Sequence, residues 1–287
     1  MGIGRKFKSV FGFGKGCKPI LKRRDPLSIY LGDFQALTKL YDGTIIFVDT
    51  RDSSVTPHLL LSGEWEMDVT FHWNRIIDEI KPKCVFDVGA NTGYFGLLAA
   101  RRDKKVAVHF FEANPRLSSL LRRSTTLNGF SGRTSVVNNG VTDRSGDELK
   151  LTIPAGYLGS ASFHHDLVKK FSSIEFVEKD KIESVSVGTI TLDDYVNEKK
   201  IVPDLIKVDV EGFEECVMHG ATSVFSSDAP QVVFLEYTPG AYSQKFIPLL
   251  TTLFKRFYVI EGFKARELRN LAEIETRQDW SMLILRK

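Results

Sequence analysis

Residues 85–96 read VFDVGANTGYFG, the segment around which the predicted fold is organised. Its apolar first half has the composition of a buried strand, and Gly89 and Gly93 then flank a tight turn from which a helix starts. Glycine lets the backbone adopt a positive φ and lets a ligand approach without a Cβ in its way. The helix N-terminus also presents free N–H groups and a partial positive charge. The stretch therefore predicts a strand, a turn and a helix that bind a ligand with an anionic group.

Outward from this turn, apolar runs alternate with amphipathic segments. The strand-like runs lie at 84–88, 106–111, 133–138, 204–210 and 231–236. The helix-like segments lie at 66–80, 93–102, 116–128, 213–225 and 243–254. Continuous apolar strands between amphipathic helices predict an α/β fold in which helices cover both faces of a parallel sheet.

Two regions depart from this alternation. Residues 142–200 form a longer excursion, in which 149–153 and 185–187 predict extra strands near one mouth of the sheet. Near the end of the chain, the apolar runs at 257–260 and 281–286 predict a closing pair of strands at one edge of the sheet.

An acidic residue follows the second predicted strand. Glu112 lies nineteen residues after Gly93, in the segment FFEANP at 110–115. A carboxylate at that place can accept hydrogen bonds from both hydroxyls of a ribose, as in doubly wound dinucleotide-binding folds. The alternative is structural: the turn needs glycine for its own geometry and Glu112 is simply solvated.

The spacing of the glycines separates two classes of cofactor. In the pyrophosphate pattern Gly-x-Gly-x-x-Gly, the backbone must approach the ligand most closely at the second glycine, and Asn91 stands there. Its side chain obstructs a pyrophosphate but can hydrogen-bond an amino-acid carboxylate or amine. Together with Asp87, this pattern is similar to the first motif of class I S-adenosylmethionine methyltransferases rather than to a nicotinamide site.

A second segment extends this similarity. Residues 190–220 read ITLDDYVNEKKIVPDLIKVDVEGFEECVMHG. This segment and VFDVGANTGYF at 85–95 resemble the FkbM family of S-adenosylmethionine-dependent methyltransferases, and the two motifs stand in the family's order. The resemblance covers roughly residues 62–240 and leaves out residues 1–61 and about the last forty.

The resemblance implies a class I methyltransferase fold. This fold is a Rossmann-like three-layer sandwich whose seven strands run in the order 3-2-1-4-5-7-6, with strand seven antiparallel. It also implies S-adenosyl-L-methionine as the methyl donor and, as acceptor, a hydroxyl of a sugar, glycan, glycolipid or glycosylated natural product.

Carried over position by position, the resemblance assigns residues to the two ends of the cofactor. The turn lines the methionine end, Glu112 holds the ribose, and the segment 138–143 lies on the adenine side, although the family usually has alanine near Gly140. Glu66, in a Gly-x-x-Glu pattern, resembles a lid over the methionine end. The residues expected around the cofactor are Glu66, Asp87, Gly89, Asn91, Gly93, Glu112, Asn114, Asn139, Val141 and Asp209.

The catalytic candidates are carboxylates at the ends of predicted strands. Ligands bind beyond the carboxyl ends of such strands at the topological switch point, and a weakly nucleophilic hydroxyl benefits from a nearby base. Clustered carboxylates raise each other's proton affinity, which suits a base near neutral pH. We rank Asp209 first, Glu211 second and Glu236 third as the base.

Other roles for these acids stay open. Asp209 can bind the sulfonium or amino group, and Glu211 can cap the helix that follows it. The three carboxylates also suit magnesium or calcium, an alternative that we rank below a metal-free site. Lys207 is expected to form a buried ion pair with Asp209.

Charge is distributed unevenly along the chain. Residues 1–24 carry eight basic groups and no acid, whereas the other 263 residues carry 31 basic and 36 acidic groups and a net charge of −5. A body of that sign disfavours nucleic acid as a partner. The basic start predicts a flexible tail over 1–26, with peripheral contact of residues 1–24 with an anionic membrane as the alternative role.

The remaining organisation follows from composition. Residues 27–62 predict a small β-rich extension packed on a methyltransferase domain at 63–287. Three scattered cysteines and the absence of a long apolar run predict a cytoplasmic enzyme. Two rival functions stay open, a NAD(P)-dependent oxidoreductase and a non-catalytic cofactor-binding scaffold docked through its basic tail.

Overall fold

A computed structural model of the chain describes residues 27–164, 182–227 and 232–287. The predicted basic tail at 1–26, and its expected membrane contact, lie outside the described residues. Within those three ranges, none of the helices combines the length and apolar character needed to cross a membrane.

The elements alternate along the chain much as the apolar runs predict. The first half contains β1 (Ser28–Gly32), β2 (Gln35–Lys39), β3 (Ile45–Asp49), α1 (Thr56–Ser62), α2 (Met67–Ile80), β4 (Cys84–Val88), α3 (Tyr94–Arg102), β5 (Ala107–Phe111), α4 (Pro115–Leu127), β6 (Thr134–Val137), β7 (Gly140–Val141) and β8 (Glu148–Pro154). The second half contains β9 (Ile182–Ile190), α5 (Leu192–Lys199), β10 (Leu205–Val208), α6 (Glu214–His219), α7 (Thr222–Ser226), β11 (Val232–Tyr237), α8 (Phe246–Leu253), β12 (Arg256–Glu261), β13 (Lys264–Glu267) and β14 (Ser281–Arg286).

The main sheet confirms the predicted strand order and adds one strand. Its order is β13-β12-β14-β11-β10-β4-β5-β6, which is the expected 3-2-1-4-5-7-6 topology read from β6 to β12, with β13 beyond it. Strand β14 runs antiparallel to both β11 and β12, as expected. The expectation of seven strands is wrong by one, because a hairpin turn after β12 folds the highly charged β13 back along the outer edge.

One predicted helix is divided in two. The segment 213–225 forms α6 and α7, with Gly220 between them. A Cβ at Gly220 would collide with the carbonyl oxygen of Thr142. The close approach of the loop after β7 therefore requires glycine at the point where the helix breaks.

Side chains of the central strands alternate between two cores. On one face, Trp73 from α2 and Phe95 from α3 pack against Phe234 of β11, and the Trp73 indole N–H donates to the Phe95 carbonyl at 3.0 Å. On the other face, helices α5 to α8 cover residues such as Val208 and Leu235. Helices on both faces make the three layers of the predicted α/β sandwich.

The excursion 142–200 forms a second sheet, with the order β7-β9-β8. Strands β8 and β9 pair antiparallel over Glu148–Pro154 and Ile182–Ile190, so the strands predicted at 149–153 and 185–187 are confirmed. Apolar residues of this sheet pack on Leu117 of α4. The excursion is thereby attached at the end of the main sheet where β5 leads into α4.

The N-terminal extension forms a third, antiparallel sheet, which packs on α4. Asn128 accepts a hydrogen bond from the Ile45 N–H at 3.0 Å and donates to the Ile45 carbonyl at 2.6 Å. Ser124 Oγ accepts from the Phe47 N–H at 3.0 Å. Residues of the extension also share one apolar core with Trp73. The division of the chain at residues 62 and 63 stays a prediction.

The two hydrogen bonds of Asn128 to β3 generate a test of this attachment. We expect Asn128→Ala to lower the free energy of unfolding by about 1–3 kcal/mol, because both backbone groups of Ile45 lose a partner. Urea denaturation measures the change, and Asn197→Ala, at an exposed position on α5, is the matched control. Equal stability of the two variants would contradict the assigned role.

Candidate functional site

A cavity of about 350 Å³ opens at the carboxyl ends of the central strands β4, β5, β10 and β11. This is the switch point at which ligands bind in doubly wound sheets. Most residues expected from the sequence line it: Glu66, Asp87, Gly89, Asn91, Glu112, Asn139, Val141, Asp209, Glu211 and Glu236. Gly93 and Asn114 lie beside it without lining it.

The turn after β4 is fixed by close packing as well as by its dihedral angles. Gly89, Asn91 and Gly93 all have positive φ, of 77°, 53° and 84°. A Cβ on Gly89 would collide with the carbonyl oxygen of Asp209, and one on Gly93 would collide with Leu121 of α4. Glycine is therefore needed at these two positions for a second reason besides positive φ: a side chain would keep β10 and α4 from approaching the turn.

Glu112 joins this turn to the end of β5. Its carboxylate accepts hydrogen bonds from the backbone N–H groups of Asn91 at 2.6 Å and Asn114 at 2.7 Å. Burial raises the pKa of Glu112 to about 7, although both N–H groups oppose the increase. The Asn114 side chain accepts from the Arg116 N–H and caps α4. Asn114 thus supports Glu112 from outside the cavity.

Lys207 lies at the centre of the charged groups below the cavity. Its ammonium donates to Asp209 at 2.6 Å, which confirms the expected buried ion pair, and it lies 4.7 Å from the centroid of the Phe95 ring. Burial by itself lowers the pKa of Lys207. The negative charges of Asp209, Glu66 and Asp87 raise it by more, so that the pKa lies above its ordinary value. Lys207 therefore stays charged.

Asp87 and Glu66 share the charge of Lys207 from two other elements. Asp87 is in register with Lys207 across β4 and β10, and its carboxylate accepts from the Gly96 N–H at 2.8 Å. Burial raises the pKa of Asp87 to about 6, and Lys207 limits the rise. Burial likewise raises the pKa of Glu66 to about 7, and Lys207 limits this rise as well.

Glu66 carries a polar atom that needs a partner. The residue precedes α2 with a φ of 42°, in the left-handed region that favours glycine. Its Oε2 atom is buried and accepts no hydrogen bond within the described part of the chain. A buried carboxylate oxygen without a donor is costly, so this position fits a ligand that brings a cationic or N–H group.

Glu211 and Glu236 occupy the other side of the cavity. Neither carboxylate has a hydrogen-bond or ion-pair partner among residues 27–164, 182–227 and 232–287. Burial first, and then the nearby charge of Asp209, raise the pKa of both groups well above the usual range for a glutamate. Two uncompensated carboxyl groups beside a cavity are poised to accept protons or cations.

Glu211 does not cap the helix that follows it, because α6 has no side-chain cap, and the first residue of that helix, Glu214, instead holds the loop before it. This buried carboxylate accepts from the backbone N–H groups of Val210 at 2.8 Å and Gly212 at 3.3 Å, and from the Tyr242 hydroxyl at 2.8 Å. Oxygens of Asp209, Glu214 and Glu236 lie within 4.8 Å of one another, a spacing that a cation can bridge. Both Glu214 oxygens already accept hydrogen bonds, and Asp209 is paired with Lys207. Two of the three carboxylates in this cluster are therefore satisfied by groups of the chain itself, without a metal ion.

Several cavity residues carry no local signal that would single them out in the sequence. They come from the N-terminal extension, the loop after β8 and the C-terminal strands, and they include Ser54, Val55, Leu158, Gly159, Thr238 and Trp280. Asp52 fixes the first two of these segments: it accepts from the N–H groups of Val55 at 2.9 Å, Thr56 at 2.8 Å and Leu158 at 3.1 Å. Asp52 stands four residues before the first residue of α1, so its hydrogen bonds to Val55 and Thr56 are local in sequence, whereas its contact with Leu158 depends on the tertiary structure.

Known sequences match most of the chain. The family model described as "Methyltransferase FkbM domain" matches residues 87–271. A curated relative, 31-O-demethyl-FK506 methyltransferase FkbM of Streptomyces tacrolimicus, is 29% identical over 172 residues, which cover 54% of this chain and 64% of the relative. The chain thus spans less than two thirds of that relative.

Solved structures resemble the chain more distantly. A SAM-dependent methyltransferase from Agrobacterium tumefaciens is 12% identical, with 90% of this chain and 71% of that chain covered and a TM-score of 0.46. An O-methyltransferase from Bacillus cereus in complex with SAH is 13% identical, with coverages of 78% and 83% and a TM-score of 0.44. Similarities this low leave the observed strand order as the basis for the fold.

The raised pKa of Glu66 generates a stability prediction. Its folded-state pKa of about 7 exceeds the ordinary 4.5, so its contribution to stability is full below about pH 4.5 and is lost as the pH rises through about 7. We expect the wild-type protein to lose on the order of 1–3 kcal/mol more unfolding free energy than Glu66→Gln between about pH 5 and about pH 8.

Urea denaturation of the wild type and of Glu66→Gln across this pH range measures the difference in unfolding free energy. The titration of the histidines is common to both proteins and cancels in this difference. Glu198→Gln, at an exposed position on α5, should follow the wild type. Parallel curves for wild type and Glu66→Gln would show that the Glu66 carboxyl is not destabilised in the folded protein.

Proposed function

The chain belongs to the FkbM methyltransferase family, and on that premise we propose that it is an S-adenosylmethionine-dependent O-methyltransferase. Its proposed acceptor is a hydroxyl of a sugar, glycan, glycolipid or glycosylated natural product. The observation that carries the proposal is one cavity with two unlike sides. Glu112 and the glycine turn follow β5 and β4, Glu211 follows the neighbouring strand β10, Glu236 lies on β11, and the unpartnered oxygen of Glu66 belongs to the same cavity.

The residues of the first side fit the cofactor. Glu112 would accept the ribose hydroxyls, and Glu66 and Asp87 would face the ammonium group. Apolar side chains suited to a flat base come from α4, β8 and the loop after it, namely Leu117, Leu151, Leu158 and Phe163. When bound, S-adenosylmethionine supplies an electrophilic methyl group on a sulfonium.

The second side supports acceptor activation. Asp209, ranked first as base from the sequence, is held by Lys207 at 2.6 Å. Glu236 has no such partner, and it projects from a strand, which orients it more rigidly than a loop would. We therefore assign the base to Glu236, which accepts the acceptor's proton as the hydroxyl oxygen attacks.

The first alternative function, a nicotinamide-dependent oxidoreductase, has less support. Asn91 occupies the position where a pyrophosphate needs a glycine, and family membership favours methyl transfer. The decisive experiment incubates the protein with a methyl-labelled donor and extracts rich in glycans and glycosylated metabolites, followed by mass spectrometry. A thermal-shift assay separates the cofactors: S-adenosylhomocysteine should raise Tm, and stabilisation by NAD instead would restore the alternative.

Glu112 provides a direct test of the cofactor assignment. We expect Glu112→Ala to weaken S-adenosylhomocysteine binding about 10- to 100-fold, because hydrogen bonds to a charged group are lost. Isothermal titration calorimetry measures the affinity, and circular dichroism checks the fold. Glu148→Ala, at an exposed position on β8, is the control and should bind normally. Unchanged affinity in Glu112→Ala would remove the ribose role.

Glu236 provides a test of the base. We expect Glu236→Gln to reduce kcat about 10²- to 10⁴-fold while S-adenosylhomocysteine binding is kept. Because burial and Asp209 raise the pKa of Glu236, the wild-type rate should rise with pH at values well above the ordinary range of a carboxyl. Asp209→Asn is the comparison. If Asp209→Asn abolishes turnover and Glu236→Gln leaves it unchanged, the base is Asp209 and the assignment to Glu236 is wrong.

A further inference from the structure

Carboxylates outnumber cations around the cavity. Among the described residues that line it, Lys207 is the single lysine or arginine, and no histidine lines it. The acidic residues that line it are Glu66, Asp87, Glu112, Asp209, Glu211 and Glu236. An anionic cavity of this kind attracts cations and repels anions.

Most of these charges can be assigned a partner. Lys207 compensates Asp209 directly and Asp87 and Glu66 at longer range. Glu112 accepts two backbone N–H groups. If the cofactor binds as proposed, its ammonium group lies near Glu66. Lys207 also acts on Glu211 and Glu236 at longer range, but burial and Asp209 outweigh it, and neither carboxylate has a direct hydrogen-bond or ion-pair partner among the described residues.

These two residues lie at the acceptor side of the cavity. The turn and Glu112 that hold the cofactor follow β4 and β5, whereas Glu236 is on β11 and Glu211 follows β10. The base accounts for one carboxylate, since it becomes neutral when it takes the hydroxyl proton. The second carboxyl group has a raised pKa because burial and Asp209 disfavour its charge, so a cationic group on the acceptor would stabilise its ionised form, whereas an uncharged acceptor would leave it protonated.

Glu211 is held in place as a binding group would be. Its φ of 54° lies in the left-handed region that non-glycine residues rarely adopt. Glu214 accepts the N–H groups of both neighbours, Val210 and Gly212, and Ser162 Oγ donates to the Glu211 carbonyl at 2.7 Å. Every one of these contacts fixes the Glu211 backbone, and none uses its carboxylate, which is left to face the cavity.

From this arrangement we infer that the acceptor carries a protonated amine close to the hydroxyl that is methylated, and that Glu211 binds this ammonium group. The inference rests on the proposed function and narrows its acceptor to an amino sugar or a similar amino alcohol. Trp65 and Trp280 also line the cavity, and their rings favour a cation or a sugar face over an anion.

The transfer itself balances without a further reagent. The acceptor oxygen forms a bond to the methyl carbon as the carbon–sulfur bond breaks, and the electron pair of that bond stays on sulfur. The hydroxyl proton passes to Glu236. The ammonium of the acceptor keeps its charge throughout, so Glu211 acts as a binding residue and not as the base.

Four probe sugars test this inference on protein saturated with S-adenosylhomocysteine: glucosamine, N-acetylglucosamine, glucose and glucuronate. We expect glucosamine to bind about 10- to 100-fold more tightly than glucose or N-acetylglucosamine, because only glucosamine offers a charge-assisted hydrogen bond. Glucuronate should bind worst. Competition calorimetry near neutral pH gives the affinities, and labelled-methyl turnover of each sugar gives kcat/KM.

Variants identify the group responsible. Glu211→Gln should remove the preference for glucosamine while S-adenosylhomocysteine still binds, and Glu211→Asp, which keeps the charge, should retain part of it. Glu198→Gln is the control for a general loss of negative charge. Equal binding of glucosamine and glucose, or a preference that survives in Glu211→Gln, would overturn the inference.

Two results distinguish a wrong ammonium assignment from a wrong proposed function. If S-adenosylhomocysteine itself fails to bind, the proposed function is wrong and this inference falls with it. If S-adenosylhomocysteine binds but Mg²⁺ raises Tm in the wild type and not in Glu236→Gln, and glucosamine has no advantage, a divalent cation neutralises the two carboxylates and only the ammonium assignment is overturned.

Discussion

The buried ammonium of Lys207 is the constraint on which the site depends. It lies in the interior of the sheet and has to be compensated there, and Asp209 does so at 2.6 Å while Asp87 and Glu66 add their charge from β4 and from the start of α2. Removal of Asp209 would take away the hydrogen-bonded partner of the Lys207 ammonium in a region that water hardly reaches. The same ion group therefore connects two central strands and the helix that borders the cavity.

Close packing of backbone complements this charge arrangement. The carbonyl oxygen of Asp209 occupies the space where a side chain on Gly89 would lie, so the first turn and the end of β10 touch directly. Glu112 then holds the turn from the other side through the N–H of Asn91. Contacts within the chain thus hold the turn in place without a ligand, an arrangement that favours a lower entropic cost of binding.

The two sides of the cavity differ in how their acids are satisfied. On the proposed cofactor side, the carboxylates interact with Lys207 or with backbone N–H groups, and one oxygen of Glu66 has no partner among the described residues. On the proposed acceptor side, the Glu214 carboxylate accepts from the backbone N–H groups of Val210 and Gly212, and the Glu211 carboxylate has no partner among the described residues. Two acids that are close in sequence thus have different roles: Glu214 stabilises the loop, and Glu211 faces the cavity. A sequence pattern that shows only their spacing cannot separate these roles.

What could be predicted from the sequence depended on local chemistry. Periodicity determined the central strands, the glycine turn located the site, and the position of Glu112 after a strand identified a cavity residue, because each signal lies within a few consecutive residues.

Tertiary contacts decided the rest. The structure shows that Glu236 has no partner among the described residues, that the helix predicted at 213–225 breaks at Gly220, and that a hairpin adds an eighth strand. Ser54, Leu158 and Trp280 entered the cavity from segments far apart in the chain. Their proximity is a property of the packed sheets and helices, and no short stretch of sequence encodes it.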